Sequence, residues 1–284
     1  MSGEEADRSS RKRILAGIKN RLLMENANGV SGIVRGGKLI PESSEILPPS
    51  SPKPQVVPQR ARENELPTRR HHQLTMLSKL GSTPLPSEIM PTEVKVAELA
   101  KLHASLVECR ACGVNAKRIQ AVFGVGDPDA AIMFVGEAPG ADEDQQGEPF
   151  VGRAGRLLTD IIEKGMKISR SQVYIANVLK CRPPENRTPT PQEAEVCGPF
   201  LERQIEIVRP RVLCALGAVP SRFLLNTDAG TSIGSLRGKI HHYRQIPLIV
   251  TYHPSYLLRN PDAKAPAWVD IKFMMATIGM QPPD

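Results

Sequence analysis

The chain has 284 residues, a formal net charge of +7 and 40% hydrophobic residues, enough to bury the core of one medium domain with chain to spare. No stretch approaches the roughly 20 apolar residues that a membrane-crossing helix needs, and the opening MSGEEADRSSRKR lacks the apolar centre of an export signal, so a cytoplasmic protein without a membrane anchor is expected. The basic balance is no argument for nucleic acid by itself, because it sits at one end: residues 1–91 hold 14 Lys and Arg against 9 Asp and Glu, and the rest 23 against 21.

Residues 1–91 carry ten of the 26 prolines and many Ser and charged residues, without sustained periodicity. This composition predicts a disordered tail. Within it, Ile14, Ile18 and Leu22 recur at helical spacing beside Arg11, Arg13, Lys19 and Arg21, so a short helix near residues 10–26 is possible, either transient or docking on an unknown partner. A globular domain is expected over 92–280. It opens with a helix through Leu99, Leu102 and Leu106 that leads to Cys109. Four apolar runs then read as buried strands: Ala131 to Val135, Val173 to Val178, Val212 to Leu216 and Leu248 to Tyr252. Between them, Arg153 to Lys164 has the spacing of a helix stopped by Gly165, and Thr190-Pro191-Gln192-Glu193 has the form of a capping box. Strands alternating with helices predict an α/β fold, a three-layer α/β/α arrangement around a parallel sheet. Ligands of such sheets lie beyond the C-terminal strand ends, where Gly136-Glu137-Ala138, Asn177 and His253 all fall.

Five cysteines are an odd number for a disulfide framework. Cys109 and Cys112 form a C-x-x-C pair, and Cys181 and Cys197 follow as two more grouped thiols, while Cys214 lies inside a strand run and reads as core. Zinc and cubane iron–sulfur clusters both take four thiolates from separate segments, and the spacing leaves both open.

GEAPGADEDQQGEPFVGRAG (Gly136 to Gly155), NVLKCRPPENRTPTPQE (Asn177 to Glu193) and HPSYLLR (His253 to Arg259) resemble, in this order, the three characteristic blocks of family 4 uracil-DNA glycosylases, over about residues 92–280. The resemblance implies a four-stranded parallel sheet between helices and one structural 4Fe-4S cluster held by Cys109, Cys112, Cys181 and Cys197. It implies a monomer acting on uracil-containing DNA. Gly136, Glu137 and Ala138 would line the uracil pocket, Phe150 would stack on the base, Asn177 would read it, and His253 would contact its O2 edge. Leu257, Leu258 and Arg259 would belong to a loop entering the duplex.

These roles match what the reaction needs. A base in a duplex must be flipped into a pocket before its glycosidic bond can be reached, and there an aromatic face and edge hydrogen bonds hold it. An Asn amide offers an acceptor and a donor that suit uracil and oppose cytosine. A donor aimed at O2 favours the departing anion. Glu137 and Glu143 are the carboxylates available to favour the cation-like sugar or to activate water. Taken singly, Phe150 reads first as core, Asn177 and His253 equally as a turn residue and a structural histidine, and Glu137 also as a loop or helix-start carboxylate. Lys180, Arg182 and Arg187 suit phosphate contact. The competing functions are a DNA-docking module without catalysis, and a glycosylase for another deaminated base.

Overall fold

The computed structural model describes residues 90–228 and 230–282; the tail expected over 1–91, apart from its last two residues, and its helix near 10–26 lie outside the described residues. The first helix, α1 (Thr92–Val107), precedes strands β1 (Val125–Gly126) and β2 (Ile132–Gly136). Helices α2 (Ala141–Gln146) and α3 (Arg153–Asp160) lead to β3 (Tyr174–Asn177), and α4 (Pro191–Val208) leads to β4 (Val212–Leu216). Then come α5 (Ala218–Leu225), α6 (Ile233–Leu236), β5 (His241–Tyr243), β6 (Ile246–Thr251), α7 (Pro254–Arg259) and α8 (Lys264–Thr277).

The strands form one sheet in the order β1-β3-β2-β4-β6-β5. The four expected strands are its parallel centre, and the sheet has six strands rather than four because a short antiparallel strand closes each edge. β1 is two residues long, and Gly126 (φ 132°) lies so close to the Val173 carbonyl that no Cβ would fit. β5 joins β6 through Arg244 and Gln245, both at positive φ, the backbone of a tight hairpin built without the usual Asn-Gly.

Alternation along the central strands divides the interior in two. Met133, Val135, Tyr174, Ala176, Leu213, Ala215, Leu248 and Val250 face one cluster with Leu99 and Leu106 of α1 and Leu201 and Ile205 of α4. Ile132, Phe134, Ile175, Val212, Cys214 and Ile249 face the other, with Leu158 of α3 and Ile271, Met274 and Met275 of α8. This is the expected three-layer arrangement, with side chains alternating between the sheet's two covered faces.

Thr190 caps α4, its hydroxyl accepting from Glu193 N–H at 3.2 Å while Glu193 accepts from Thr190 N–H at 2.8 Å, with Pro191 in the first turn. The helix expected over Arg153 to Lys164 becomes a wider turn over Ile161–Gly165, in which Met166 N–H reaches Ile161 O at 2.8 Å. Gly165 does not end it by a left-handed turn, which falls instead at Lys167 (φ 60°); its lack of a Cβ admits the Trp268 ring, which would lie 2.9 Å from one.

Candidate active site

The chain passes from β2 to β3 on one side and then to β4 on the other, so the sheet's crossover direction reverses around β2. The C-terminal end of β2 is therefore a crevice that the fold itself opens. There Gly136 and Asn177 pair across the parallel ladder, which runs on as Val178 N–H donates to Gly136 O and Leu179 N–H to Glu137 O, each at 3.0 Å. Gly136 is required for space. A Cβ would come within 2.3 Å of Asn177 Oδ1 and 2.5 Å of the Phe150 ring.

Asn177 is 2% exposed, and its Oδ1 is buried with no hydrogen-bond partner. Leaving a buried acceptor unpaired costs about 1–3 kcal/mol. Beside it, Phe150 is buried and sits at φ 56°, an uncommon conformation for an aromatic residue. Glu143 helps hold that loop: Oε1 accepts from Val151 N–H at 3.0 Å and Gly152 N–H at 3.1 Å, and Oε2 from Gly140 N–H at 3.0 Å. Both oxygens are thus occupied by the backbone that carries Phe150. Gly155 lets α3 close on the same turn, since a Cβ there would lie 1.9 Å from Phe150 O.

His253 comes from the far side, two residues past β6, and caps α7. Its Nδ1 accepts from Ser255 N–H at 3.1 Å and lies 2.8 Å from Ser255 Oγ. A ring nitrogen that accepts an N–H carries no proton, so the neutral ring bears its proton on Nε2. Burial, and secondarily the charge of Arg259, push its pKa down to about 4, so the ring is neutral at pH 7. The Phe150 and His253 rings stand 5.6 Å apart, and Gly217 (φ 100°) leaves 3.0 Å between its missing Cβ and that of His253. Glu137 is partly buried and its pKa is raised by burial, with no charged or hydrogen-bonding group opposing the shift. Ala138 is likewise half-buried at the start of the loop. Gly136, Phe150, Asn177 and His253 therefore converge, with Glu137 next in the chain.

The segment expected to enter the duplex as a loop is instead the helix α7, packed on α3. Of the three residues expected at DNA, Leu257 is 2% exposed, while Leu258 and Arg259 are exposed. Lys180 is corrected too. It is completely buried, and its Nζ donates to Asn177 O at 2.8 Å and to Gln204 Oε1 at 2.5 Å, so it braces the strand end instead of meeting phosphate. Gln204 continues the brace to Phe123 O at 2.9 Å. Burial pulls the Lys180 pKa down to about 7, with Cys197 opposing. Arg187 is paired with Glu193, and Arg182 donates to Asn186 Oδ1 at 2.8 Å.

The four grouped cysteines lie on one face of the sheet, Cys181 and Cys197 buried and Cys109 and Cys112 packed against them; Cys214 is in the opposite cluster. Cys181 Sγ accepts from Arg118 Nη1 at 3.0 Å, and Cys197 Sγ from Lys180 N–H at 3.3 Å. Burial chiefly raises both thiol pKa values, that of Cys197 to about 12, and each thiol feels Cys112 as a further upward push. The thiols share a neighbourhood; among the described residues, no group of three or more His, Cys, Asp or Glu is placed to hold a metal ion.

Comparison of the sequence with known proteins gives the family. The family profile described as Uracil DNA glycosylase superfamily matches residues 123–272, which contain Gly136, Phe150, Asn177 and His253. The chain is 41% identical over 184 residues to a type-4 uracil-DNA glycosylase of Archaeoglobus fulgidus, covering 63% of this chain and 92% of that one. It is 50% identical over 165 residues to the type-4 enzyme of Thermotoga maritima, covering 57% and 85%. A type-5 uracil-DNA glycosylase of Pyrobaculum aerophilum is more distant, 33% identical over 149 residues, covering 48% and 66%. On the profile match and these identities, this chain belongs to the type-4 uracil-DNA glycosylases of the uracil-DNA glycosylase superfamily.

Proposed function

We propose that this chain flips uracil out of DNA and hydrolyses its N-glycosidic bond, leaving an abasic site for repair. The observation that carries the proposal is the unpartnered Oδ1 of Asn177, buried against the Phe150 ring at the mouth of the sheet. Uracil N3–H is the donor that this oxygen lacks, and the Asn177 amide N–H can donate to uracil O4. Cytosine presents an acceptor and a donor at the same two places, so it would leave the buried amide mismatched. Phe150 supplies the stacking face, and the backbone at Gly136, Glu137 and Ala138 the floor.

As the glycosidic bond breaks, negative charge gathers on the departing base. Neutral His253, with its proton on Nε2, is a fixed donor for O2, stronger towards the anion than towards the bound base. It needs no change of protonation to act. Glu137, poorly solvated and without a cationic partner, is the carboxylate offered to the cation-like sugar and its attacking water. Glu143 serves through the loop, placing Phe150. Leu258 and Arg259 are the exposed residues offered to DNA beside the pocket.

The donor set of Cys109, Cys112, Cys181 and Cys197 fits a 4Fe-4S cluster: four free thiols from three segments, gathered on one face of the sheet. A bound cluster would supply a structural tie across those segments. Cys181 lies four residues beyond Asn177, so the tie would steady the chain leaving the base reader. Incubation with a uracil-containing oligonucleotide, followed by alkaline cleavage at abasic sites, tests the main reading. Strand breaks are expected at uracil alone; intact strands at excess protein would overturn it.

A further inference from the structure

Next to the pocket, an aromatic column stands on the joint between β6 and α7. Asp270 of α8, 3% exposed, accepts from Thr251 Oγ1 at 2.7 Å and from Arg237 Nε at 2.7 Å. So anchored, the Arg237 guanidinium sits 3.9 Å from the centroid of the Tyr252 ring. Tyr252 in turn stacks on Tyr256, with centroids 4.9 Å apart and planes 27° apart. Tyr256 is 39% exposed, and its N–H donates to His253 O at 2.8 Å, which ties it to the turn that carries His253. None of these side chains enters the pocket chemistry described above.

We propose that Tyr256, backed by Tyr252 and Arg237, is a stacking platform for a nucleobase next to the extruded nucleotide. The inference rests on the uracil-excision reading. When one nucleotide leaves the stack, its neighbour loses a partner and presents a bare planar face, which an aromatic ring can cover whatever the base. A ring already held by a second ring and a buried ion pair gives up little freedom on contact. Arg259, exposed in the last turn of the same helix, offers charge to the adjoining phosphate. The occupant is thus a base of the substrate strand.

The test uses the full chain, Tyr256→Ala, Tyr256→Phe, and Val96→Ala as a control at an exposed position of α1. Each is titrated by fluorescence anisotropy against single-uracil oligonucleotides in which the 5′ or the 3′ neighbour is an ordinary nucleotide or an abasic spacer, and uracil release is followed in parallel. Tyr256→Ala should weaken binding of the ordinary oligonucleotide about tenfold, the loss of one base–aromatic stack. Tyr256→Phe and Val96→Ala should bind as the native chain does. One of the two spacers should cost the native chain the same factor, and on that spacer Tyr256→Ala should lose nothing more. Unchanged binding by Tyr256→Ala, or losses that add on both spacers, would overturn the platform. If the native chain binds but releases no uracil, the excision reading falls while the binding cycle still decides the platform.

Discussion

At Asn177 the unpaired Oδ1 makes substitution informative, because the site is built around an acceptor waiting for a donor. Asn177→Asp keeps the size but replaces the amide donor with an acceptor, so it should repel uracil O4 and accept from cytosine N4. Uracil release is expected to fall at least about tenfold, the cost of one mismatched buried hydrogen bond, with cytosine release rising relative to it in a parallel assay; unchanged base preference would remove Asn177 as the reader. His253 sets a pH expectation. Its pKa is about 4 in the folded chain and 6.5 ordinarily, so the unfolded state binds more protons between those values. The stability due to the neutral ring is therefore complete above pH 6.5 and lost as pH falls towards 4. Melting temperatures at pH 7 and pH 5 should accordingly differ less in His253→Asn than in the native chain. Single-turnover uracil release should show no His253 ionisation step between pH 5 and 8. The roles of Asn177 and His253 were open to expectation from motif order, but the partnerless oxygen and the Nε2 tautomer were not, since both depend on what packs around each side chain. Lys180 shows the same limit: its charge suggested phosphate, and only Gln204, 24 positions away, makes it a buried brace.

In the segment from Gly140 to Gly152, Glu143 ties the backbone on both sides of Phe150 together, and Arg170 adds a hydrogen bond to Pro149 O at 2.7 Å. Glu143→Ala would strand three backbone N–H groups, at about 1–3 kcal/mol for those that water cannot reach. Urea unfolding should register the loss, and uracil release should fall with it because Phe150 loses one of its two anchors, the other being Arg170 on Pro149 O. If release is unaffected while stability drops, Phe150 does not depend on this anchor. The central strands and the α4 cap were legible because apolar runs and the Thr-Pro-x-Glu pattern act locally. β1 and β5 were not legible: strands of two and three residues carry no run, and their pairing is decided by neighbours such as Val173 and Ile246. For α7, the expectation over HPSYLLR is a loop; that it is a helix with Leu257 buried and Leu258 exposed depends on what the rest of the domain packs against it.

For the whole molecule, the grouped thiols tie segments that are distant in sequence. Anaerobically prepared protein is expected to contain iron and absorb in the visible, and Cys109→Ala to lower both iron content and thermal stability; full iron content in that variant would exclude Cys109 as a ligand, and zinc in the native chain would exclude the cluster. Deleting residues 1–91 should leave uracil release from short oligonucleotides unchanged, and loss of release would move the domain boundary towards the N-terminus. What the sequence by itself determined was the α/β class, the four central strands and the order of the motif blocks, because strand periodicity, caps and turn residues are local physics. It also marked four cysteines apart from the fifth. The tertiary structure alone decided which acidic residue is tied to the backbone, which leucine of α7 is buried, that Lys180 is internal and that Tyr256 heads a supported column. Those outcomes depend on burial and on hydrogen-bond partners brought from other elements, and no single segment encodes its own surroundings.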